Sequence, residues 1–357
     1  MTEIVVGVVF GGQNTEYDVS CRSAVSVLDN LDRGRFRAVP VRIGQDGAWH
    51  VATVAEFPAE LDADQLVALT SNDVSTRAAS MAAAIEALGS VDVVFPVLHG
   101  ALGEDGTVAG LLDLLGVPYV GAGVLAGATG MDKEITKALL KAEGIAVADG
   151  LVLRDPEDTV TDVERKRLGL PVFVKPASGG SSVGVTRVTD WADLDQAVAT
   201  AFAGDTKVLV EPAVPGREID IAVLEHPDGR VEAGPPLEIL MDAHRHHFFS
   251  ATAKYRDGST KFGIPAPVDA DTGWYLADAA VRAFRALGCA GLIRVDFFVH
   301  AGANGVTEVV LNEVNTMPGL TSVSQFPAAW RAAGVPYTEL LGILIDTALA
   351  RRTAPTG

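Results

Sequence analysis

Three clusters in this 357-residue chain have residue types and spacings that chemistry could use. In Val172–Val188 an apolar run leads into Lys175-Pro176 and then a loop with Gly179, Gly180, Gly184 and the adjacent serines Ser181 and Ser182. Glycines let backbone N–H groups approach an anion, hydroxyls add donors and a lysine adds point charge. Strand, glycine loop, strand is one way to fold a lid over phosphate groups. The second cluster lies in two apolar runs, Leu292–Val299 and Thr307–Asn315, which read as paired strands. Period-two alternation puts Arg294 and Asp296 on one face, and Glu313 and Asn315 on one face of the partner. Two carboxylates and an amide converging on one spot suit a hard cation such as Mg²⁺. Such groups rarely replace core residues in central strands without a task. The third cluster is a pair of turns: Gly11-Gly12 with Glu16, and His99-Gly100 with Gly103-Glu104-Asp105-Gly106-Thr107.

These loops need elements to deliver them. Ile4–Phe10, Arg37–Ile43 and Val91–Leu98 read as strands, with a short strand Trp49–Val51 after a turn at 44–47. Helices are expected from Ser20 to Leu31, Ala82 to Leu88 and Val108 to Leu115, and residues 55–80 read as a polar, irregular insertion. Alternating strands and helices make an open parallel sheet, whose ligands gather beyond the carboxyl ends of its strands. The character of the chain changes near Gly121-Ala122-Gly123, a candidate boundary. Met131–Glu143 is expected as one helix stopped by Gly144. Its Lys133, Lys137 and Lys141 fall on one face at steps of four, and a solvated stripe is the default for Lys137 and Lys141.

Further on, Trp191–Phe202, Thr272–Leu287 and Val335–Leu349 read as helices. Val183–Val188, Lys207–Glu211, Gly216–Leu224 and Val231–Ile239 read as strands, the last two in an antiparallel sheet. His244–Lys261 is polar and long enough to be a functional loop. Met317–Thr321 follows as a loop beside the cation position, and Arg351–Gly357 as a frayed tail.

Composition narrows the classes. The length favours two or three domains, and 48% hydrophobic with 21% charged residues describes a globular chain with full cores. A formal charge of −18 argues against nucleic acid or an anionic membrane as partner, though not against a small anion in a locally basic pocket. Two cysteines, Cys21 and Cys289, make no disulfide scaffold and fit a reducing compartment. The start lacks a basic n-region, and no apolar run reaches the roughly 18 residues needed to span a bilayer, so a cytoplasmic protein is expected.

Several motifs fail on context. Gly180-Ser181-Ser182-Val183-Gly184 matches a hydrolase elbow, but β-branched residues follow where a helix would have to start. There is no Gly-Lys dipeptide for a Walker A loop, and no GxGxxG follows the first strand. Asp296-Phe297-Phe298 is not the Asp-Phe-Gly of protein kinases. His244, His246 and His247, without cysteines, read as solvated rather than metal-binding.

In order along the chain come F-G-G-Q-N-T-E (10–16), H-G-x-x-G-E-D-G-T (99–107), M-D-K (131–133), V-K-P-x-x-x-G-S-S-V-G (174–184) and G-R-E (216–218). They are followed by A-K-Y (253–255), R-V-D-F-F (294–298) and L-N-E-V-N-T-M-P-G (311–319). With this set the chain resembles the D-alanine–D-alanine ligases of the ATP-grasp superfamily from about Ile4 to Ala350. The resemblance implies an α/β fold (α+β in its ATP-grasp part), with an N-terminal open parallel sheet domain (1–122), a central ATP-grasp domain (123–214) and a C-terminal ATP-grasp domain (215–357). It implies ADP-forming ligation of two D-alanines through an acyl phosphate for peptidoglycan precursors, or of D-alanine to D-lactate, D-serine or a specialised acceptor. ATP and two Mg²⁺, with Mn²⁺ as a substitute, and a homodimer are implied with it.

The same resemblance carries roles to matching positions. Lys133, Lys175 and Lys254 would hold ATP phosphates, and Ser181 and Ser182 would donate to the phosphate being transferred. Glu211, Pro212 and Val214 would read the adenine and Glu218 the ribose. Asp296, Glu313 and Asn315 would bind the metal ions, and Glu16 and His99 the first amino acid. Arg294 and the Gly319 N–H would stabilise the oxyanion, and Ser324 would hold the second substrate's carboxylate. Glu16, Ser181 and Tyr255 would form the triad that pins the lid. Tyr17, Asn14, Ala109 and Ser250-Ala251-Thr252 depart from the family's usual residues, and none of these removes a phosphate or metal ligand.

Overall fold

Near-continuous apolar sequence is what a strand buried on both faces needs, and β1 (Ile4–Gly11) is such a strand. It lies between β2 (Phe36–Ile43) and β4 (Val93–Val97) and runs parallel to both, while β3 (Trp49–Val51) closes the edge antiparallel to β2. The computed structural model describes residues 3–52, 62–70, 76–240, 261–302 and 305–352. Helices α1 (Tyr17–Asn30), α2 (Ala63–Leu69), α3 (Arg77–Leu88) and α4 (Thr107–Leu115) accompany this sheet. Two expectations are corrected. The stretch 55–80, read as irregular, contains α2 and the start of α3. Helix α1 begins three residues before Ser20, because Ser20 is no cap: its buried hydroxyl accepts from Gly11 N–H (2.8 Å) and donates to Val97 O (2.5 Å).

The helix expected over Met131–Glu143 is α6 (Lys133–Ala142), and a helix that was not anticipated, α5 (Val124–Met131), runs directly before it. Asp132 between them is extended, and its carboxylate accepts from the N–H groups of Glu134 and Ile135 at 3.0 and 3.1 Å. That is an N-cap, so the Met-Asp-Lys motif starts a helix and places Lys133 in its first turn. Strand β5 (Leu151–Leu153), helix α7 (Asp162–Leu168), strands β6 (Val172–Pro176) and β7 (Thr186–Val188), helix α8 (Leu194–Phe202) and strand β8 (Val208–Pro212) follow. The strands form an antiparallel sheet ordered β5-β8-β6-β7. Strand β7 starts later than Val183, because Ser181 and Ser182 take left-handed φ of 51° and 58° and the chain turns through them.

The third sheet holds β9 (Arg217–Glu225), β10 (Val231–Ala233), β11 (Leu237–Leu240), β12 (Lys261–Gly263), β13 (Leu292–Ala301) and β14 (Thr307–Asn315). Its order is β12-β11-β9-β13-β14, with β10 on β9, and every pairing is antiparallel. The single strand expected over Val231–Ile239 is split at Gly234-Pro235-Pro236, where prolines supply no ladder donors. Helix α9 (Ala270–Ala286) packs on this sheet, followed after β14 by α10 (Gln325–Ala332) and α11 (Tyr337–Arg352). Helix α10 was not anticipated from the sequence; it buries Phe326, Ala329 and Trp330. The 244–260 part of the polar loop, with its three histidines, lies outside the described residues. No single helix among the described residues is long and apolar enough to cross a membrane.

One apolar core ties the two ends of the chain together. Val6, Val8 and Phe10 of the first sheet share it with Trp330 and with Leu340, Leu344 and Ile345 of the last helix. Leu344 is fully buried there. Leu344→Ala is expected to destabilise the protein by about 2–5 kcal/mol, the range for a buried leucine whose site only partly collapses. Urea unfolding followed by circular dichroism measures it, and a loss below ~1 kcal/mol would mean that the last helix is not anchored through this core.

Candidate active site

The centre of the site is built on β13 and β14. Their register pairs Arg294 with Asn315 and Asp296 with Glu313, as period-two alternation predicts. A bulge follows: Asp296 faces Glu313 while Phe297 already faces Leu311, leaving Asn312 as the extra residue. The Arg294 guanidinium grips Asp296 through two parallel bonds, Nε to Oδ1 at 2.6 Å and Nη2 to Oδ2 at 2.7 Å. Asn315 Nδ2 donates to Asp296 Oδ2 at 3.0 Å. Asp220 on β9, directly across from Asp296, lies 3.5 Å from Arg294 Nε and accepts from Gln325 Nε2 at 2.9 Å. Burial alone would pull the Arg294 pKa down, but Asp296, Asp220 and Glu313 outweigh it and hold it well above its ordinary value. The guanidinium is therefore a fixed positive charge.

Asp296, Glu313 and Asn315 meet the chemical requirement for Mg²⁺, because all three offer oxygen and two are carboxylates. Asp296 is 2% exposed and sits beneath Arg294 rather than on a cavity wall, whereas Glu313 and Asn315 face open space. Each Asp296 oxygen keeps lone-pair capacity beyond its bonds to Arg294 and Asn315. Glu218 and Asp220 lie close enough to Asp296 for one oxygen of each to fall within 4.8 Å of the others.

A cavity of about 350 Å³ opens above these strands. Arg294, Glu313 and Asn315 form its floor, Glu16 and His99 come from the first sheet, and Gly319 and Ser324 from the loop after β14. The fourth wall is Lys133 with Gly179, Gly180 and Ser181 of the glycine loop. The loop is pinned there from two sides. The Ser181 hydroxyl donates to Glu16 Oε1, and Lys133 Nζ donates to Gly179 O at 2.5 Å while standing 3.7 Å from Glu313. Two glycines permit the Glu16 contact: a Cβ on Gly180 would come within 2.8 Å of Glu16 Oε2, and one on Gly100 within 2.5 Å. Successive left-handed serines are a strained way to turn a chain, and such strain collects where a loop has a task.

His99 is buried, with Nδ1 3.0 Å from Met317 O and Nε2 3.3 Å from Ser23 Oγ. It therefore fastens the loop carrying Gly319 to the first sheet. Ser324 Oγ lies 2.7 Å from Thr321 Oγ1 and next to Gly319.

A second cavity of about 130 Å³ lies on the other side of the glycine loop, sharing Lys133, Glu313 and Gly179–Ser181 with the first. Lys175, Glu211 and Pro212 come to it from β6 and β8, joined by Val214, Glu218 and Ser182. Phe173, Ala148, Val185 and Phe298 give it an apolar lining. The bulged Asn312 also lines it, which plain alternation would have placed on the opposite face from Glu313.

Lys137 corrects a sequence expectation. It is not part of a solvated stripe; it is 7% exposed and its ammonium pairs with Glu211. Lys175 Nζ takes the other Glu211 oxygen at 2.9 Å. Burial alone would raise the Glu211 carboxyl, but Lys175 and Lys137 together hold it below the usual carboxylate range. Two ammoniums then share one carboxylate, and Lys137, pushed first by burial and next by Lys175, comes down to about 8. Four steps from Lys133 toward the same sheet was the signal in the sequence, and it could not by itself distinguish a buried face from a wet one.

Lys254 and Tyr255 lie outside the described residues. All other residues to which the resemblance gave a role line one or both cavities, except Asp296 beneath them. Sequence reasoning left Asp220, Gln325 and Glu104 without roles. Glu104 bridges the first sheet to the loop after β14: Oε1 accepts from Met317 N–H (3.0 Å) and Thr316 Oγ1 (3.2 Å), and Oε2 from Gly100 N–H (3.2 Å). Burial, then the Glu16 charge, raise its pKa. Glu104→Ala would strip these donors of their acceptor and is expected to cost about 2 kcal/mol or more. Thermal unfolding measures it; a midpoint equal to that of the unsubstituted protein would mean that the bridge does not hold the two parts together.

Two family profiles match the chain, one described as "D-ala D-ala ligase N-terminus" over residues 5–122 and one as "D-ala D-ala ligase C-terminus" over residues 139–346. A D-alanine–D-alanine ligase from Nocardia farcinica is 50% identical, with 98% of each chain covered. Among solved structures, the VanG D-Ala:D-Ser ligase from Enterococcus faecalis is 33% identical with a TM-score of 0.80, covering 97% of this chain and 100% of that one. The D-alanine–D-alanine ligase from Bacillus anthracis complexed with ATP is 30% identical with a TM-score of 0.75, covering 98% of each. The paired strands, the pinned glycine loop and the two adjoining cavities thus occur in a chain that belongs to the D-alanine–D-alanine ligase family.

Proposed function

We propose that this protein joins two D-alanines into D-alanyl-D-alanine at the expense of ATP, releasing ADP and phosphate, and so supplies a peptidoglycan precursor in the cytoplasm. One observation carries the reading: two cavities meet at a shared wall made of Lys133, Glu313 and the glycine loop. That arrangement suits a nucleotide on one side delivering its terminal phosphoryl group to a carboxylate on the other. The names of the near-full-length relatives agree with it. We also read the chain as three domains with boundaries near 122 and 214, acting as a homodimer.

A carboxylate is inert toward an amine until it is activated. In the proposed sequence an oxygen of the first D-alanine's carboxylate attacks the γ-phosphorus of ATP, ADP departs and an acyl phosphate forms. The amine of the second D-alanine then attacks the acyl carbon, and phosphate leaves with its bond to that carbon broken. Phosphoryl transfer asks mainly for positioning and cancelled charge, the task assigned to Lys133, Lys175 and Lys254. Asp296, Glu313 and Asn315 are the residues to hold Mg²⁺, whose chemistry is further neutralisation of phosphate charge. Pro212 fits an adenine-reading role, since its carbonyl can accept from the base although it has no N–H to donate. Glu218 would take the ribose and Val214 the base edge.

On the amino-acid side, Glu16 would orient the first ammonium with His99 alongside, and Ser324 the second carboxylate. The tetrahedral oxyanion would be stabilised by Arg294 and the Gly319 N–H, donors already in place before charge develops. Water would hydrolyse the acyl phosphate. The loop of Ser181, Ser182 and their glycines, which Ser181 joins to Glu16, would be the lid against it, with Tyr255 the third member of the triad that the resemblance implies.

Incubation with ATP and D-alanine is expected to yield ADP, phosphate and D-alanyl-D-alanine by mass analysis, with D-serine and D-lactate offered in parallel. AMP and pyrophosphate, or a product containing only one D-alanine, would overturn the reading. Glu313→Ala is expected to lower kcat by roughly 100-fold or more through loss of a metal ligand. Turnover near normal across a Mg²⁺ titration would remove Glu313 from that role.

A further inference from the structure

Lys137 lies on α6 one turn beyond Lys133, and it lines neither cavity. It stands behind Glu211, whose carboxylate is its partner and whose other oxygen is taken by Lys175. The three groups are nearly dry: Lys137 is 7%, Lys175 8% and Glu211 4% exposed. Their surroundings differ in one respect. Lys175 and Glu211 both line the smaller cavity, so a molecule entering it can reach them, whereas Lys137 does not line it.

A buried carboxylate stays ionised only while a positive charge is beside it. A phosphate chain entering the cavity would compete with Glu211 for Lys175, because a polyanion offers that ammonium more negative charge. Were Lys175 the sole partner, binding phosphate would strand Glu211, and satisfying Glu211 would deprive the phosphates. A second ammonium behind the carboxylate removes this conflict.

We propose that Lys137 is a positioning residue for nucleotide binding: the counter-charge that remains with Glu211, which keeps that carboxylate ionised and in place while Lys175 is given over to phosphate. The proposal rests on the reading above that the smaller cavity takes ATP. It assigns Lys137 no contact with nucleotide or amino acid, and no part in the chemistry of either step. Its effect belongs to ATP affinity rather than to turnover at saturation.

The test is a double-mutant cycle on Lys137 and Glu211, read by calorimetric binding of ADP and by steady-state kinetics. Lys137→Met is expected to weaken ADP binding and raise the KM for ATP by roughly tenfold or more, the loss of one charge-assisted contact in a dry site. The kcat and the KM for D-alanine should stay within about threefold, and Lys137→Arg should restore ADP binding. With Glu211→Gln already present there is no carboxylate to hold, so adding Lys137→Met should cost less than about twofold further. The double variant buries no lone charge from this pair, so it serves if Lys137→Met alone does not unfold cooperatively. Equal losses of ADP affinity in the two backgrounds would overturn the proposal. So would ADP affinity in Lys137→Met within twofold of the unsubstituted protein, or a double variant that binds ADP tenfold more weakly than Glu211→Gln. Failure of the unsubstituted protein to bind ADP at all would instead sink the nucleotide reading beneath the proposal.

Discussion

Charges can be kept out of water only in pairs, and this constraint shapes the interior of the molecule around its two cavities. Arg294 is held by Asp296 with Asp220 behind it, Glu211 lies between Lys137 and Lys175, and Lys133 leans toward Glu313. Farther out, Lys207 ties Asp132 and Glu134 at the start of α6 to the strand region of the central sheet, at 2.5 and 2.7 Å. Each group is anchored on a strand or a helix, so those that line the cavities (Arg294, Lys133, Glu313, Lys175 and Glu211) are held from behind by partners at fixed positions. A site that must cancel phosphate charge gains from such preorganisation, because little needs to reorient when the substrate arrives.

The second constraint is that parts distant in sequence must meet around one small volume. Glu16 reaches Ser181 across 165 positions of sequence, His99 reaches Met317 across 218, and Glu104 reaches the same loop across 213. None of these contacts would hold if the first sheet and the last helix could drift apart. The shared core of Val6, Val8, Phe10, Leu340 and Leu344 prevents that, so apolar packing at the chain's two ends supports polar geometry at its centre. In the lid, Ser181 and Ser182 take left-handed φ, and polar contacts, Ser181 to Glu16 and Lys133 to Gly179 O, are among those that hold the loop.

Much of this was legible from residue order. The alternation of Arg294 with Asp296 and of Glu313 with Asn315 predicted the facing pairs, since side-chain direction in a strand has a strict period of two. Where the reading failed, a long-range partner had overridden a local signal. Ser20 resembled a helix cap but spends its hydroxyl on Gly11 and Val97. Helix α5 (Val124–Met131) was not anticipated, and the Asp132 side chain separates it from the expected helix by capping α6. Asn312 faces the smaller cavity only because a bulge breaks the alternation that served so well one residue later.

Residue types and spacing alone determined the class of the molecule: strands feeding glycine turns, an anion-holding loop, and a paired-strand floor suited to a hard cation. These features depend on local geometry, which neighbouring residues dictate. What only the tertiary structure decided was which face of each element is dry. Lys137 is the sharpest case. Its spacing from Lys133 fits a solvated stripe and a buried clamp equally well, and the difference is made by Glu211, 74 positions away. Burial is a property of what packs against a residue, and for a helix beginning at Lys133 that information is carried by strands the chain has not yet reached.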